Sequence, residues 1–397
     1  MSALLRPWEG VQWMKPHPPP AYSTIKKDGK LVDSIDELFN VMHSQFSSTG
    51  QAPNTINWDF INNIPNHPTH DFPPISVHEL WSALGKTSNT SAPGLDHLTW
   101  CHLKILLSMP ACDKALVKLF NAIMTSGAWP QEFKEAVSII IPKPKKDDYS
   151  VPKAYRPIAL LNTLGKLLTK IVANHLQFDS IANNLLRAGQ FGGIQKHATD
   201  DVGVLLMDFI SSHRDQGLHT LVLALDIAQF FLLLSHSVMA ALLQKLGFHK
   251  YIIQFITSFF SHRYTTYKWG SSLSDCFPFD FGTPQGNCLS PILSALYISL
   301  ILYHLYPHDK DSFSPICCLF FVNDGTLLTT SSSLTQNIET LRHSYLHLLA
   351  FFTKISLTIE ASKTELKHFI TFDLTASRRK FAHVTQPVLS GGLGPCS

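Results

Sequence analysis

The sequence predicts an α+β fold in which apolar strands and amphipathic helices alternate along most of the chain. Three observations predict it. Two apolar strands, at 221–226 and 316–324, each run into an acidic residue. Ser76 followed by Glu79 forms a capping-box pattern that marks the first strong helix start. The apolar stretch 291–303 is too short for a membrane span, which takes about 20 residues, and is predicted to be a buried helix.

The elements follow in a regular order. Residues 1–74, rich in Pro and Asn, are predicted to be an irregular extension with one short helix at 35–42. Apolar periodicity and capping residues predict further helices at 77–85, 97–108, 112–126, 164–178, 199–213, 236–246, 249–260, 291–303 and 334–353. Short apolar and β-branched runs predict strands at 136–141, 157–161, 219–227, 263–269, 275–281, 316–324, 326–330 and 365–371.

Two of these elements have specific local signals. Pro291 directly after Ser290 suits the first turn of a helix, where proline loses no hydrogen bond. Asn323, Asp324 and Gly325 between two apolar runs predict a β-hairpin that turns at these residues.

Composition narrows the class of protein only slightly. The chain has 397 residues, 45% of them hydrophobic and 15% charged, so it can bury a large core. Its net charge of +3 does not by itself indicate a nucleic-acid binder. Seven cysteines without CxxC spacing predict neither a disulfide framework nor a zinc site. They favour an intracellular location, with nucleus and cytoplasm equally compatible, and no membrane partner is expected.

The two acidic strand ends, Asp226 and Asp324, form the first candidate site. A carboxylate at the end of a buried strand is costly unless a cation compensates it. Two strand ends about a hundred residues apart in the sequence meet only if their strands lie side by side. A divalent metal ion is then the natural partner of the facing carboxylates. The alternative is that each aspartate only begins a turn.

Two loops offer candidate ligand contacts. Lys143 lies in a basic loop, and Arg156 is followed at once by an apolar strand, an arrangement suited to triphosphate oxygens. Gln285, in the turn between Gly282 and Gly286, offers both a donor and an acceptor. A solvated loop and a plain strand-to-helix turn are the respective alternatives.

The order of these segments resembles that of the reverse transcriptases of non-LTR (LINE-type) retrotransposons. The resemblance covers roughly residues 75–372, some three quarters of the chain. The matching blocks occur in family order at 91–96, 138–146, 154–166, 190–193, 225–231, 282–293, 321–325 and 363–365.

The resemblance implies a right-hand polymerase with fingers, an antiparallel palm sheet packed on helices, and a thumb that is missing or vestigial. Its implied parts are the extension 1–74, fingers and connecting helices at 75–215, a palm with the metal site at 216–372, and a disordered tail at 373–397 in place of the thumb. Neither an endonuclease nor an RNase H domain is expected, and the chain is expected to be a truncated, degenerate copy of such an element.

The implied catalytic residues are Asp226, Asp324 and Asn323, where Asp226 and Asp324 would hold two Mg²⁺ ions. Asn323 occupies the place of the first of the family's two consecutive aspartates. Because its side chain is neutral, the metal site loses one negative charge. Loss of a residue that only supports a metal ligand lowers metal affinity or activity on the order of 10–100-fold, and loss of this charge should lower them further.

The implied substrate contacts come from the same motifs. Phe231 would exclude a ribose 2′-hydroxyl, and Gln285 would contact nucleotide or template. Arg156 and Lys143 would bind the triphosphate, and Lys363 would act near pyrophosphate.

The resemblance therefore implies template-directed DNA synthesis from deoxynucleoside triphosphates, with an RNA template and a DNA primer as partners. The departure at Asn323 predicts little or no activity. One alternative is a catalytically dead remnant that at most binds nucleic acid or a protein partner. Another is an interaction protein that uses the scaffold without nucleic acid.

Overall fold

A computed structural model describes residues 25–47, 58–62, 64–280, 282–305 and 316–370. Within these ranges the chain forms twelve α-helices and ten strands. The helices are α1 (Ile35–Phe46), α2 (Asp59–Asn62), α3 (Val77–Gly85), α4 (Trp100–Ser108), α5 (Cys112–Ser126), α6 (Thr163–Ala182), α7 (Thr199–Asp215), α8 (Phe230–Leu233), α9 (His236–Lys245), α10 (Lys250–Phe260), α11 (Leu289–Leu305) and α12 (Leu334–Lys354). The strands are β1 (Lys26–Lys27), β2 (Lys30–Leu31), β3 (Glu135–Pro142), β4 (Tyr155–Leu160), β5 (His219–Asp226), β6 (Tyr264–Trp269), β7 (Ser272–Pro278), β8 (Ile316–Phe321), β9 (Asp324–Ser331) and β10 (Glu365–Phe369).

The first four-stranded sheet has the order β10–β5–β9–β8 and is antiparallel throughout. β5 is an inner strand and is buried along most of its length, which explains its unbroken apolar run. The register of β5 with β9 places Asp226 directly opposite Asp324. Pairing of these two strands thus brings together the two acidic residues that the sequence singles out.

The second four-stranded sheet has the order β4–β3–β6–β7. β3 pairs antiparallel with β4 and parallel with β6, and β6 and β7 form a hairpin. The chain therefore returns to this sheet after it has formed β5, so the segment 216–372 contributes strands to both sheets.

The main core surrounds α11, of whose 17 residues 14 are buried. A helix that is apolar on all sides belongs in the interior of a protein. It packs against α6, α9 and α12, and α12 in turn covers β5 and β9. No described helix has the length and apolar character needed to cross a membrane.

The N-terminal segment packs on the second sheet. Phe39 and Met42 of α1 are fully buried in a second core with Tyr155 of β4 and Tyr267 of β6. The backbone N–H of Lys26 donates to the carbonyl of Ser150 in the β3–β4 connection, at 2.7 Å. The extension is therefore ordered here, and its predicted helix at 35–42 continues to Phe46 because the apolar face does. Its remaining parts at 1–24 and 48–57, like the predicted tail at 373–397, lie outside the described residues.

The other predicted helices and strands are confirmed, with shifted ends. α4 begins at Trp100 rather than at 97, because the Thr99 hydroxyl accepts the N–H of His102 and caps the helix there. The strand predicted at 275–281 lies at Ser272–Pro278. α2, α8, β1 and β2 are too short to leave a periodic signal, and the sequence does not predict them.

The predicted position of the β8–β9 turn is wrong. Val322 and Asn323 form the turn, and Asp324 is already the first residue of β9, paired with Phe321. Val322 has φ 60°, which is strained for a β-branched residue. The sequence pattern predicts a turn here because it assumes that Gly325 adopts a turn conformation. Gly325 instead lies in β9, where only glycine packs, since a Cβ there would lie 2.6 Å from the Phe320 ring.

Replacing Phe39 by alanine tests whether α1 is part of the folded core. Because Phe39 is 1% exposed, Phe39→Ala should lower the free energy of unfolding by about 3–5 kcal/mol in urea denaturation. Leu346→Ala on α12, where the side chain is 51% exposed, should change it by no more than about 0.5 kcal/mol. Equal effects of the two substitutions would contradict this assignment.

Candidate functional site

A cavity of about 650 Å³ lies between the two sheets. Seven of the eight predicted site residues line it, namely Lys143, Arg156, Asp226, Phe231, Gln285, Asn323 and Lys363. The eighth, Asp324, is paired with Asp226 across the first sheet. A larger cavity of about 1260 Å³ between α6, α7 and β8 contains none of the eight. The smaller cavity is therefore the candidate site.

Both carboxylate oxygens of Asp226 already have donors from the protein. The amide Nδ2 of Asn323 donates to Oδ1 at 2.5 Å, and Nζ of Lys363 donates to Oδ2 at 2.9 Å. Asp226 is 8% exposed, so these two contacts offset the cost of burying its charge. The backbone carbonyl of Asp226 also accepts the N–H of Glu360 at 2.8 Å, which ties the segment bearing Lys363 to the end of β5.

Asp324 is held in a less favourable environment. Partial burial raises the pKa of its carboxyl, and the hydrogen bond and negative charge of the neighbouring Asp226 raise it further. Lys363 opposes this shift. Lys363 is already paired with Asp226, so Asp324 is left short of compensation, which is the electrostatic condition that favours an added cation.

Cations also gather on one side of Asp226. Burial lowers the pKa of Lys143, and nearby cations, among them Lys363 and Arg156, lower it further. Nζ of Lys143 donates to the carbonyl of Lys153 at 2.9 Å, which fixes it at the base of the β3–β4 connection. Arg156 lies on β4 and is exposed to the cavity. These positive charges suit a polyphosphate.

Backbone hydrogen bonds tie the turn that contains Gln285 to the segment of Phe231 and to β4. The carbonyl of Phe231, in α8, accepts the N–H of Thr283 at 2.7 Å. The carbonyl of Gln285 accepts the N–H of Ala159 from β4 at 3.0 Å. The turn that contains Gln285 is thus fixed to both sides of the cavity.

The glycine-containing block 190–193 supports the β8–β9 turn. The N–H of Phe191 donates to the carbonyl of Phe320 at 2.9 Å, which extends the edge of the first sheet. A Cβ on Gly192 would lie 2.2 Å from the backbone nitrogen of Val322, so only glycine fits against this turn. This block therefore holds the turn that presents Asn323.

Among the residues that line the cavity without having been predicted as site residues are Gln45, Phe46 and Gln229. Gln45 and Phe46 belong to the end of α1, and Gln229 follows β5. Nε2 of Gln229 donates to the carbonyl of Gln45 at 3.2 Å, and Gln229 has φ 49°. The apolar face of α1 indicates that the helix packs, but no sequence signal shows where.

Asp96, in the block 91–96, has a structural role. Its carboxylate accepts the N–H of Thr163 at 3.1 Å, at the first turn of α6. Its own N–H donates to Oδ1 of Asn162 at 3.3 Å. Asp96 thus caps α6, which favours a negative charge at its N-terminus.

The donor set fits a divalent cation with two carboxylate ligands. Carboxylate and amide oxygens are the ligands that Mg²⁺ prefers, and Asp226, Asp324 and Asn323 supply them. Among the described residues, no group of three or more His, Cys, Asp or Glu side chains could hold a metal ion. A cation at Asp226 has to displace Lys363, whose side chain is 57% exposed and free to move away.

The carboxyl pair predicts a pH-dependent effect of Asp324→Asn in metal-free buffer. Since the folded-state pKa of Asp324 lies above its ordinary value of 3.8, ionisation of this carboxyl destabilises the fold as the pH rises. The variant should therefore have a higher melting temperature than the wild type at neutral pH, and this difference should disappear below the ordinary pKa. Asp71→Asn removes the same charge from an exposed residue outside the carboxyl pair and is the control, which should not raise the melting temperature at neutral pH. A variant that melts lower at neutral pH would contradict this account.

Comparison with known proteins identifies the family of the chain. The family model for reverse transcriptase (RNA-dependent DNA polymerase) matches residues 141–385. A probable RNA-directed DNA polymerase from transposon BS of Drosophila melanogaster is 26% identical over 81% of this chain and 35% of that protein. The RNA-directed DNA polymerase from mobile element jockey of the same species is 25% identical over 66% of this chain and 28% of that protein.

A third relative is the retrovirus-related Pol polyprotein from type-1 retrotransposable element R2 of Popillia japonica, 30% identical over 56% of this chain and 30% of that protein. The chain spans about a third of the length of these relatives. The family model matches well over half of the chain, and the relatives are named as proteins of transposable elements. The chain belongs to the reverse transcriptase (RNA-dependent DNA polymerase) family.

Proposed function

We propose that the chain contains the palm and fingers of a polymerase that copies an RNA template into DNA. The palm is the first sheet with α11 and α12, within the predicted segment 216–372. The fingers are the second sheet with the helices of the predicted segment 75–215, to which β6 and β7 are added. The observation that supports this most directly is the cavity between the sheets, which seven of the eight predicted site residues line.

In the proposed reaction, the 3′-hydroxyl of a DNA primer attacks the α-phosphate of a deoxynucleoside triphosphate, and pyrophosphate leaves. Reverse transcriptases are generally metal-dependent, and bound Mg²⁺ would activate the attacking oxygen and neutralise the leaving one. Asp226 and Asp324 would hold the metal. Lys143 and Arg156 bind the triphosphate, and Lys363 moves from Asp226 towards the pyrophosphate.

Asn323 is the proposed reason for impaired activity. Its amide donates to Asp226, where an aspartate at the same place would repel that carboxylate and strengthen the demand for cations. Asn323 and Lys363 together satisfy Asp226 without a metal ion. A divalent cation must therefore compete with these two contacts for Asp226. The site also offers it one negative charge fewer than it would with an aspartate at position 323.

The Asn323→Asp variant tests this explanation. Restoring the acid should raise primer extension on an RNA template by at least about 10–100-fold over the wild type, the scale of losses at disturbed metal sites. The double variant Asn323→Asp/Asp226→Asn is the control and should be inactive. Equal extension by the wild type and Asn323→Asp would show that Asp226 and Asp324 suffice.

Phe231 is the proposed determinant of sugar selectivity. In the Asn323→Asp background, Phe231→Val should raise incorporation of ribonucleotides relative to deoxynucleotides by about tenfold or more, because a smaller side chain admits the 2′-hydroxyl. Phe248→Leu is the matched control, since Phe248 is 2% exposed in the core and does not line the cavity. Unchanged selectivity in the Phe231 variant would assign the discrimination to another residue.

The second candidate function is a catalytically dead remnant that binds nucleic acid or a protein partner. The closed network of Lys363, Asp226 and Asn323 favours it, because the buried carboxylate needs no metal in this arrangement. Absence of primer extension in both the wild type and Asn323→Asp would support this function.

A further inference from the structure

A cavity of about 20 Å³ lies against the second sheet, next to the turn that contains Gln285. Among the residues that line it are Ser138 on β3, Thr265 on β6, and Arg263, which directly precedes β6. We call it the Arg263 cavity. Since roughly 10–15 Å³ is enough for one water molecule, it has room for a single water or a single small ion. Gln285 lines both this cavity and the candidate site.

Arg263 places a buried charge in the wall of the cavity. It is 2% exposed and is among the largest side chains that the fold buries completely. Its Nη1 donates to the carbonyl of Phe259 at 3.2 Å, and its guanidinium lies over the Phe259 ring, 4.6 Å from the centroid. A guanidinium has five N–H donors, and within the described residues this is its one hydrogen bond. Most of its donors therefore lack an acceptor from this part of the chain.

The charge of Arg263 has no carboxylate partner within the described part of the chain, where it forms no salt bridge. A second buried cation lies close by, since the carbonyl of Lys134 accepts the N–H of Tyr264 at 3.1 Å, and Lys134 is 6% exposed. Burial lowers the pKa of Arg263 to about 10, and burial and the charge of Arg263 lower the pKa of Lys134. Because a buried charge without a partner is costly, this region favours an added anion.

A hydroxyl group supplies a second donor to the cavity. The hydroxyl of Thr265 donates to that of Ser138 at 2.7 Å, and its contact with the carbonyl of Ala136 is longer, at 3.4 Å. Ser138 is 6% exposed, and among the described residues its own hydroxyl proton has no acceptor. A hydroxyl and a guanidinium, both with protons to donate, are ligands for an anion and not for a cation.

The size of the cavity and the charge of its wall limit the choice of occupant. Water is the ordinary occupant of a polar cavity of this size, but water carries no charge and also needs acceptors for its own protons. Sulfate and phosphate, with four oxygens each, are too large for it. Chloride is only slightly larger than water, accepts hydrogen bonds without donating any, and compensates a buried cation.

We propose that the Arg263 cavity binds a chloride ion, held by the guanidinium of Arg263 and the hydroxyl of Ser138. The ion lies on the opposite side of Gln285 from the candidate site. The proposal does not depend on the proposed polymerase function, and its test requires neither nucleotide nor nucleic acid.

The first measurement compares melting temperatures in sodium chloride and in sodium gluconate, at equal ionic strength and neutral pH. EDTA is present so that divalent cations do not contribute. An ion that binds only the folded state stabilises it until the site is saturated. The melting temperature should therefore rise with chloride by roughly 2–4 °C and then level off, whereas gluconate, which is too large for the cavity, should have no such effect.

Two variants assign this rise to the cavity. Arg263→Met removes the charge and should abolish the dependence on chloride. Ser138→Ala removes one donor and should raise the chloride concentration needed for half of the rise about tenfold, and it keeps the test decisive if Arg263→Met does not fold. The matched controls are Arg342→Met and Ser82→Ala, at exposed positions on α12 and α3, and both should respond to chloride as the wild type does.

Bromide substitutes for chloride and allows the ion to be located directly. Crystals of the wild type grown in bromide should show an anomalous peak beside Arg263. The proposal is overturned by equal melting curves in chloride and gluconate, by an unchanged half-point in Ser138→Ala, or by the absence of the bromide peak. A rise that persists in Arg263→Met would assign the chloride effect to the protein surface and would also overturn it.

Discussion

The pairing of β5 with β9 is the constraint on which the rest of the site depends. It sets Asp226 opposite Asp324, so that two carboxyls meet at the end of a buried sheet. Such a pair is unstable without positive charge nearby, and the surrounding segments supply it. Lys363 reaches Asp226 because the chain after α12 is tied back to the end of β5 by the N–H of Glu360.

Asn323 changes the electrostatic balance of this pair from within the turn. Its amide donates to Asp226, so the site is partly neutralised by the protein itself. The close approach of Gly192 holds the turn in this conformation in spite of the strained backbone at Val322. The turn therefore presents to Asp226 a side chain that donates a hydrogen bond but carries no negative charge.

The cavity is built from parts that lie far apart in the sequence. β4 and the turn at Gln285 form one side, and β5 with Asn323 forms the other. The end of α1 completes it, since its apolar face is fixed in a core with Tyr267 of β6. A helix from the N-terminal extension therefore contributes to the same cavity as the carboxyl pair.

The sequence by itself determined most helices and strands, because apolar periodicity and caps such as Ser76 are local properties of the chain. It also determined seven of the residues that line the cavity, because they stand in motifs that resemble a known family. The tertiary structure decided the turn at Val322, the donors to Asp226 and the position of α1. Strand register, charge compensation and helix packing depend on residues distant in sequence, and no local pattern encodes them.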